Sequence, residues 1–222
     1  MTPIQKCIVE KKSNLNPIWL MRQAGRYLPE FREIRSKNQD FIKLCLSENL
    51  ASEITLQPIE RFNFDAAIIF SDILMLPYGL GQKVAFEKNF GPKLGELDVN
   101  EITKIDEIDF VEKVHRVYKA IKKVSSNSDL NHKNTIGFVG APWTLLVYMI
   151  NKKSPKLKLI DSFYNDTNLL NEILIVIEKF LINQRLRHFG LNSDNVVFQK
   201  NDIFYISFDN EGIYELEFKN FR

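Results

Sequence analysis

Three short apolar runs, each followed by a stretch of helical periodicity, constrain this chain more than any other feature. The runs are PIWLM at 17–21, AAIIF at 66–70 and TIGFVG at 135–140. Each is nearly continuous in apolar residues and bounded by polar or turn-forming ones, the pattern of a strand buried on both faces. Helices are expected between them. One spans 40–46, and Ser47 suits the N-cap of the next, which runs to Phe62 with Glu48 near its positive end. Phe110, Val114, Val117, Ile121 and Val124 recur at helical spacing with Lys and Glu between them, marking one amphipathic helix. Pro142 suits the first turn of another, ending near Ile150. A last helix over 168–187 carries Leu169, Leu170, Ile173, Leu174, Ile177, Phe180 and Leu181 along one stripe. Strand and helix alternating in this order imply an α/β fold, a parallel sheet with helices on its faces. The stretch 22–40 reads as a polar connection. Residues 82–87 read as a short extra strand, followed by a loop containing Gly91, Pro92 and Gly95.

The pattern changes after residue 184. VVF at 196–198, IFYI at 203–206 and IYEL at 213–216 are short strand-like runs, and DNEG at 209–212 is rich in turn formers. These predict a β-hairpin or meander and not a further βα unit. The expected organisation is one unit over 1–184 and a β-rich tail over 185–222. A sheet of three strands has an open edge, which such a tail would cover. An out-of-frame or truncated gene product accounts for the tail equally well.

Composition removes several classes of function. Hydrophobic residues are 45% and charged residues 26% of the 222, the balance of a globular protein. The net charge of +2 is too small for a nucleic-acid partner, and the cluster Lys152, Lys153, Lys156 and Lys158 reads as a solvated surface. Cys7 and Cys45 are the two cysteines, too few and too far apart for a disulfide framework or a zinc site. The first residues lack the apolar core of a secretion signal, and the apolar run 145–150 is too short to span a membrane. A cytoplasmic protein with no membrane partner is expected. There is no dinucleotide-binding or P-loop glycine motif. His115, His132 and His188 are scattered without metal-ligand spacing, so no metal is expected. Ser71-Asp72 lacks the glycine-flanked turn of a serine nucleophile.

In a parallel α/β sheet, functional groups collect beyond the carboxyl ends of the strands. Arg22, Gln23 and Arg26 follow the first run, Ser71 and Asp72 the second, and Trp143 and Tyr148 the third. Each has a plainer reading. Arg22 and Arg26 suit surface pairs with Glu30 or Glu33, Asp72 suits a turn cap, and Tyr148 suits a core position with its hydroxyl satisfied. Brought together at one sheet edge, they make a pocket for an anion. Arginine is the side chain for planar, bidentate carboxylate recognition, so a polyanionic, carboxylated ligand is expected.

The run MRQAGRYLPE at 21–30 resembles the amino-terminal motif of the uroporphyrinogen decarboxylase family. TLQP at 55–58 with DAAIIFSDIL at 65–74 is similar to its second motif, and GFVGAPWTL at 137–145 with Tyr148-Met149 to a third. The resemblance covers about residues 15–184. It implies a (β/α)8 TIM barrel, here a partial one of the first three or so βα units, and a homodimer. It also implies an enzyme with no metal or organic cofactor. The reaction implied removes the four acetate carboxyl groups of uroporphyrinogen to give coproporphyrinogen in haem synthesis. A protonated pyrrole then serves as the electron sink. By the same resemblance Asp72 is the central aspartate that accepts pyrrole N–H groups and stabilises developing positive charge. Arg22 and Arg26 hold substrate carboxylates, one of them being a proposed proton donor, a role that arginine's high pKa disfavours. Gln23, Ala24 and Gly25 supply the backbone of the binding loop, and Tyr148 lies near the reacting acetate. A serine and a histidine that the family brings from later strands have no match in this chain. The alternatives are a non-catalytic fragment of such an enzyme and a methyltransferase of the same barrel superfamily. The latter relies on a zinc-thiolate site for which no His/Cys spacing is present.

Overall fold

A computed structural model describes residues 2–10, 16–87, 90–153, 166–188, 203–208 and 214–215. In chain order these form α1 (Pro3–Glu10), α2 (Pro29–Lys37), α3 (Phe41–Cys45), α4 (Glu48–Phe62), β1 (Ala66–Ile68), α5 (Met75–Gly79), β2 (Val84–Glu87) and β3 (Gly91–Leu94). There follow α6 (Val99–Lys104), α7 (Glu107–Ser125), a 3₁₀ turn at Ser128–Leu130, β4 (Asn134–Gly140), α8 (Pro142–Asn151), α9 (Thr167–His188), β5 (Ile203–Phe208) and β6 (Tyr214–Glu215). The fold class is α/β, as expected.

The main sheet has the order β1-β4-β5-β6. β1 runs parallel to β4, Ala66 opposite Asn134 and Ile68 opposite Ile136. β4 runs parallel to β5 from Thr135–Ile203 to Gly140–Phe208, and β5 pairs antiparallel with β6. Most of the helices begin on a side chain suited to that place. Asp40 accepts from the Lys43 amide at 3.1 Å, Ser47 from Leu50 at 3.4 Å and Asp106 from Asp109 at 2.8 Å. Each satisfies an amide left over at a helix start. α4 ends on Asn63 in the left-handed region, at φ 53°.

The core lies where α7 packs between the sheet and its neighbours. Phe110, Val114, Val117, Ile121 and Val124 are all buried, as their spacing predicts. Phe110 meets Phe180 of α9 with ring centroids 4.7 Å apart. Phe110 also lies against Gly79 at the end of α5, where an added Cβ would sit 2.4 Å from its ring. Among the described residues no helix is long and apolar enough to cross a membrane.

Four local expectations are corrected. The run 17–21 forms no strand and is not buried: Ile18, Leu20 and Met21 are exposed. Its backbone donors go to side chains, the Ile18 amide to the Asp65 carboxylate at 2.7 Å and the Leu20 amide to Gln23 Oε1 at 3.0 Å. Pro17 has no amide to give, which removes one donor from any ladder here. The polar stretch after it contains α2, whose narrow apolar face is Phe31 with Ile34 behind it. The Gly/Pro loop is instead β3, which pairs with β2 into an antiparallel ribbon that Gly91 opens at φ 84°. Lastly, the tail does hold an antiparallel pair, but β5 also extends the parallel sheet. β4, α8, α9 and β5 thus make a further βα crossover that the hairpin reading did not anticipate. The apolar sequence IFYISF supplies backbone partners to the otherwise open edge of β4. The runs 196–198 and 209–212, together with Lys156 and Lys158, lie outside the described residues.

Candidate active site

Residues 20–28 form the loop that carries Arg22 and Arg26. Its anchor is Gln23, 1% exposed. Gln23 Nε2 donates to the carbonyl of Ala66 on β1 at 2.7 Å, while Oε1 accepts from the Leu20 amide. The Tyr27 hydroxyl donates to the Gln23 carbonyl, and the Leu28 amide closes a turn onto Gly25 at 3.0 Å. With Gln23 turned inward, Arg22 and Arg26 are turned outward and exposed. No hydrogen bond or ion pair among the described residues engages either guanidinium. The carboxylates of the plainer reading are engaged elsewhere. Glu30 takes a bidentate pair from Arg61 at 2.8 Å, and Glu33 pairs with Lys37 at 2.7 Å. Those hydrogen bonds hold both carboxyl groups below the usual carboxylate range.

Beside the loop lies a cleft of about 240 Å³ lined by Arg26, Phe31, Arg32, Arg35 and Ser36. Three arginines are among the residues lining this opening, which is large enough for a carboxylate and far too small for a macrocycle. Arg35 lies over the Phe41 ring, 5.6 Å from its centroid, and donates to the Asn38 carbonyl. Arg32 Nη1 donates to the carbonyls of Arg26 at 2.8 Å and Tyr27 at 3.1 Å. Sequence reasoning passed over Arg32 and Arg35. Their three-residue spacing places both on one side of a helix, a signal that becomes visible once α2 is recognised.

Asp72 follows β1. The chain turns there because Thr55 Oγ1 accepts from the Phe70 amide at 2.8 Å while donating to the Ala51 carbonyl. Asp72 Oδ1 accepts from the Leu74 amide at 2.9 Å and its carbonyl from the Met75 amide at 3.1 Å. The turn-capping role is therefore real for one oxygen. The residue is half-buried, but packed atoms crowd its carboxyl group. Desolvation pushes its pKa up to about 6, against the opposing pull of the Leu74 amide. Close by is Cys45, fully buried. Burial first, and then the charge of Asp72, push its thiol upward, while Arg35 opposes them. One buried thiol thus feels both Asp72 and an arginine of the cleft.

The exit of β4 meets the exit of β1 at Gly140, where an added Cβ would lie 2.8 Å from Leu145 and 3.1 Å from Ile73. That tight passage starts α8 at Pro142 and carries Tyr148 two turns on. Tyr148 is half-buried against the cluster that contains Leu145 and Met149, and Ile73 packs on the same cluster. No hydrogen bond among the described residues engages its hydroxyl. Ala24 and Gly25 lie partly exposed between the two arginines.

A family model described as Uroporphyrinogen decarboxylase (URO-D) matches residues 2–187. The chain belongs to the uroporphyrinogen decarboxylase family. Uroporphyrinogen decarboxylase of Caulobacter vibrioides (strain NA1000 / CB15N) is 46% identical over 154 residues, covering 69% of this chain and 44% of that one. The protein of the same name from Chelativorans sp. (strain BNC1) is 50% identical over 135 residues, covering 60% and 39%. The chain thus spans less than half the length of these curated relatives. Among solved structures, a methyltransferase from Methanosarcina mazei superposes with a TM-score of 0.62 at 14% identity, over 84% of this chain and 54% of that one. That likeness extends to the fold alone. The family match takes in the span, about 15–184, over which the motifs suggested it.

Proposed function

We propose that this uroporphyrinogen decarboxylase family member acts on uroporphyrinogen, removing its four acetate carboxyl groups to give coproporphyrinogen. Two observations support the reading, unengaged arginines on one loop and a desolvated aspartate after β1. Arg22 and Arg26 stand exposed without a protein anion. Asp72, with a pKa near 6, is ionised at neutral pH but poorly solvated. A carboxylate in that condition is stabilised by any cation that forms beside it.

The chemistry follows from those properties. Arg22 and Arg26 bind substrate carboxylates by charge-assisted hydrogen bonds. Asp72 accepts pyrrole N–H groups with the oxygen that Leu74 leaves over. Protonation of a pyrrole carbon places positive charge on the ring, and Asp72 stabilises it in a poorly hydrated setting. The C–C bond to the acetate carboxyl then breaks, its electrons return to the ring and carbon dioxide leaves. A proton then adds to the methylene carbon to make the methyl group, and the ring carbon releases the proton it took, so that one proton replaces each carbon dioxide. Tyr148 orients the reacting acetate, and the backbone of Gln23, Ala24 and Gly25 lines the pocket. No metal or organic cofactor enters. The unit over 1–184 is read as a partial TIM barrel with 185–222 as its tail, in a cytoplasmic homodimer.

The second reading is a chain that holds the tetrapyrrole without turning it over. Anaerobic incubation with uroporphyrinogen III separates the two. Formation of coproporphyrinogen, lost in an Arg22→Ala/Arg26→Ala double variant, supports the enzyme. Binding of uroporphyrin with no change in carboxyl number supports the second reading, and neither binding nor turnover contradicts both.

A further inference from the structure

The geometry points to Arg32 as a positioning residue that holds Arg26 in place from behind, through the backbone. This inference rests on the proposed binding of a polycarboxylate by Arg26. A single nitrogen of Arg32, Nη1, bridges the carbonyl oxygens of Arg26 and Tyr27 at 2.8 and 3.1 Å. Those two carbonyls belong to the peptide units on which the Arg26 side chain and its successor hang. Holding both restricts rotation about the bonds on either side of the Tyr27 Cα. The loop before α2 is also tied at this point by Leu28, which is buried, and by the Tyr27 ring, which stacks on Phe62. Leu28 donates to Gly25 at 3.0 Å, and Tyr27 donates to the Gln23 carbonyl. Gln23 secures the amino-terminal part of the loop to β1, while Arg32 secures the carboxyl-terminal part to the first turns of α2. Arg26 lies between the two attachments.

The arrangement also bears on how three arginines come to line one cleft. Like charges repel, and crowding them is unfavourable unless each is held. Arg32 is held by two carbonyl oxygens and Arg35 by the Asn38 carbonyl and the Phe41 ring. Arg26 alone of the three has no such partner among the described residues. The first two are committed to protein, which leaves Arg26 as the group presented to a ligand. A pre-ordered arginine loses less freedom on binding than a mobile one, which strengthens binding without adding a contact.

A double-mutant cycle tests this against direct contact of Arg32 with the ligand. Uroporphyrin III serves as a fluorescent octacarboxylate probe, in high salt so that the general field of the cleft is screened. Arg32→Met, a helix-compatible change at an exposed site, weakens probe binding about tenfold in the wild-type background. In the Arg26→Ala background the same change has almost no effect. Equal weakening in both backgrounds overturns the inference in favour of a direct ligand contact. Arg32→Gln, which retains one donor, gives an intermediate loss in the wild-type background only. A second readout does not depend on a ligand. Arg32→Met speeds trypsin cleavage after Arg26 several-fold, because the loop opens more readily. If the wild type fails to bind the probe, the proposed function fails, and unchanged cleavage after Arg26 then separately overturns the clamp.

Discussion

The proposed role of Asp72 needs its carboxylate, while its surroundings favour the acid. Its folded-state pKa is raised from 3.8 to about 6 by desolvation. The fold therefore favours the protonated acid. Its contribution to stability is full below 3.8 and is lost as pH rises through about 6. A shift of this size corresponds to at most about 3 kcal/mol at neutral pH. Asp72→Asn keeps an acceptor for the Leu74 amide and removes the charge. Urea unfolding at pH 8 is expected to show this variant ~1–3 kcal/mol more stable than the wild type, with the difference closing at pH 4. Turnover of uroporphyrinogen by the same variant is expected to be lost. In the wild type, kcat/KM is expected to fall as pH drops through about 6, because the ionised form does the work. A rate that stays flat down to pH 5 would remove Asp72 from that role. At this scale much was legible from sequence. Arg22, Arg26, Asp72 and Tyr148 lie in recognisable motifs, each after an apolar run. Arg32 and Arg35 were not, because their significance depends on a helix that the polar sequence hid. Nor was the inward turn of Gln23, which depends on a carbonyl of Ala66 forty-three residues away.

Periodicity succeeded for elements whose side chains meet a packed surface. The five apolar positions of α7 are buried as spaced, and the cap position at Ser47 follows from residue type. It failed for 17–21, where apolarity alone suggested a buried strand. A strand needs backbone partners as well, and those amides bond to Asp65 and Gln23 side chains. β3 was missed because Gly91 and Pro92 read as a loop, although Pro is acceptable on an edge strand. Two substitutions test the packing account. Gly79→Ala drives a methyl group into Phe110, 2.4 Å from its ring. It is expected to lower unfolding free energy by ~1–3 kcal/mol in urea titration. Gln23→Met removes a buried polar side chain but leaves the Leu20 amide and Ala66 carbonyl without their partner. A loss of ~1–3 kcal/mol is expected, together with weaker binding of uroporphyrin. Unchanged binding alongside reduced stability would confine Gln23 to the fold and remove it from loop placement.

At the scale of the molecule, alternation of strands and helices correctly implied an α/β sheet. What it did not reveal was the junction of β5 with β4, since pairing of strands sixty or more residues apart leaves no periodic trace. The site depends on this scale too. The exits of β1 and β4 meet where Gly140 abuts Ile73, next to Asp72, and α2 and α3 bring Arg35 and Cys45 alongside. The central claim is that this constellation decarboxylates uroporphyrinogen. The direct measurement is the number of carboxyl groups on the porphyrins recovered after the purified full chain acts on uroporphyrinogen III, with Asp72→Asn alongside. The account predicts successive loss of carboxyl groups down to coproporphyrinogen with the wild type and unchanged octacarboxylate with the variant. Unchanged octacarboxylate from both, at enzyme concentrations that saturate uroporphyrin binding, would contradict it.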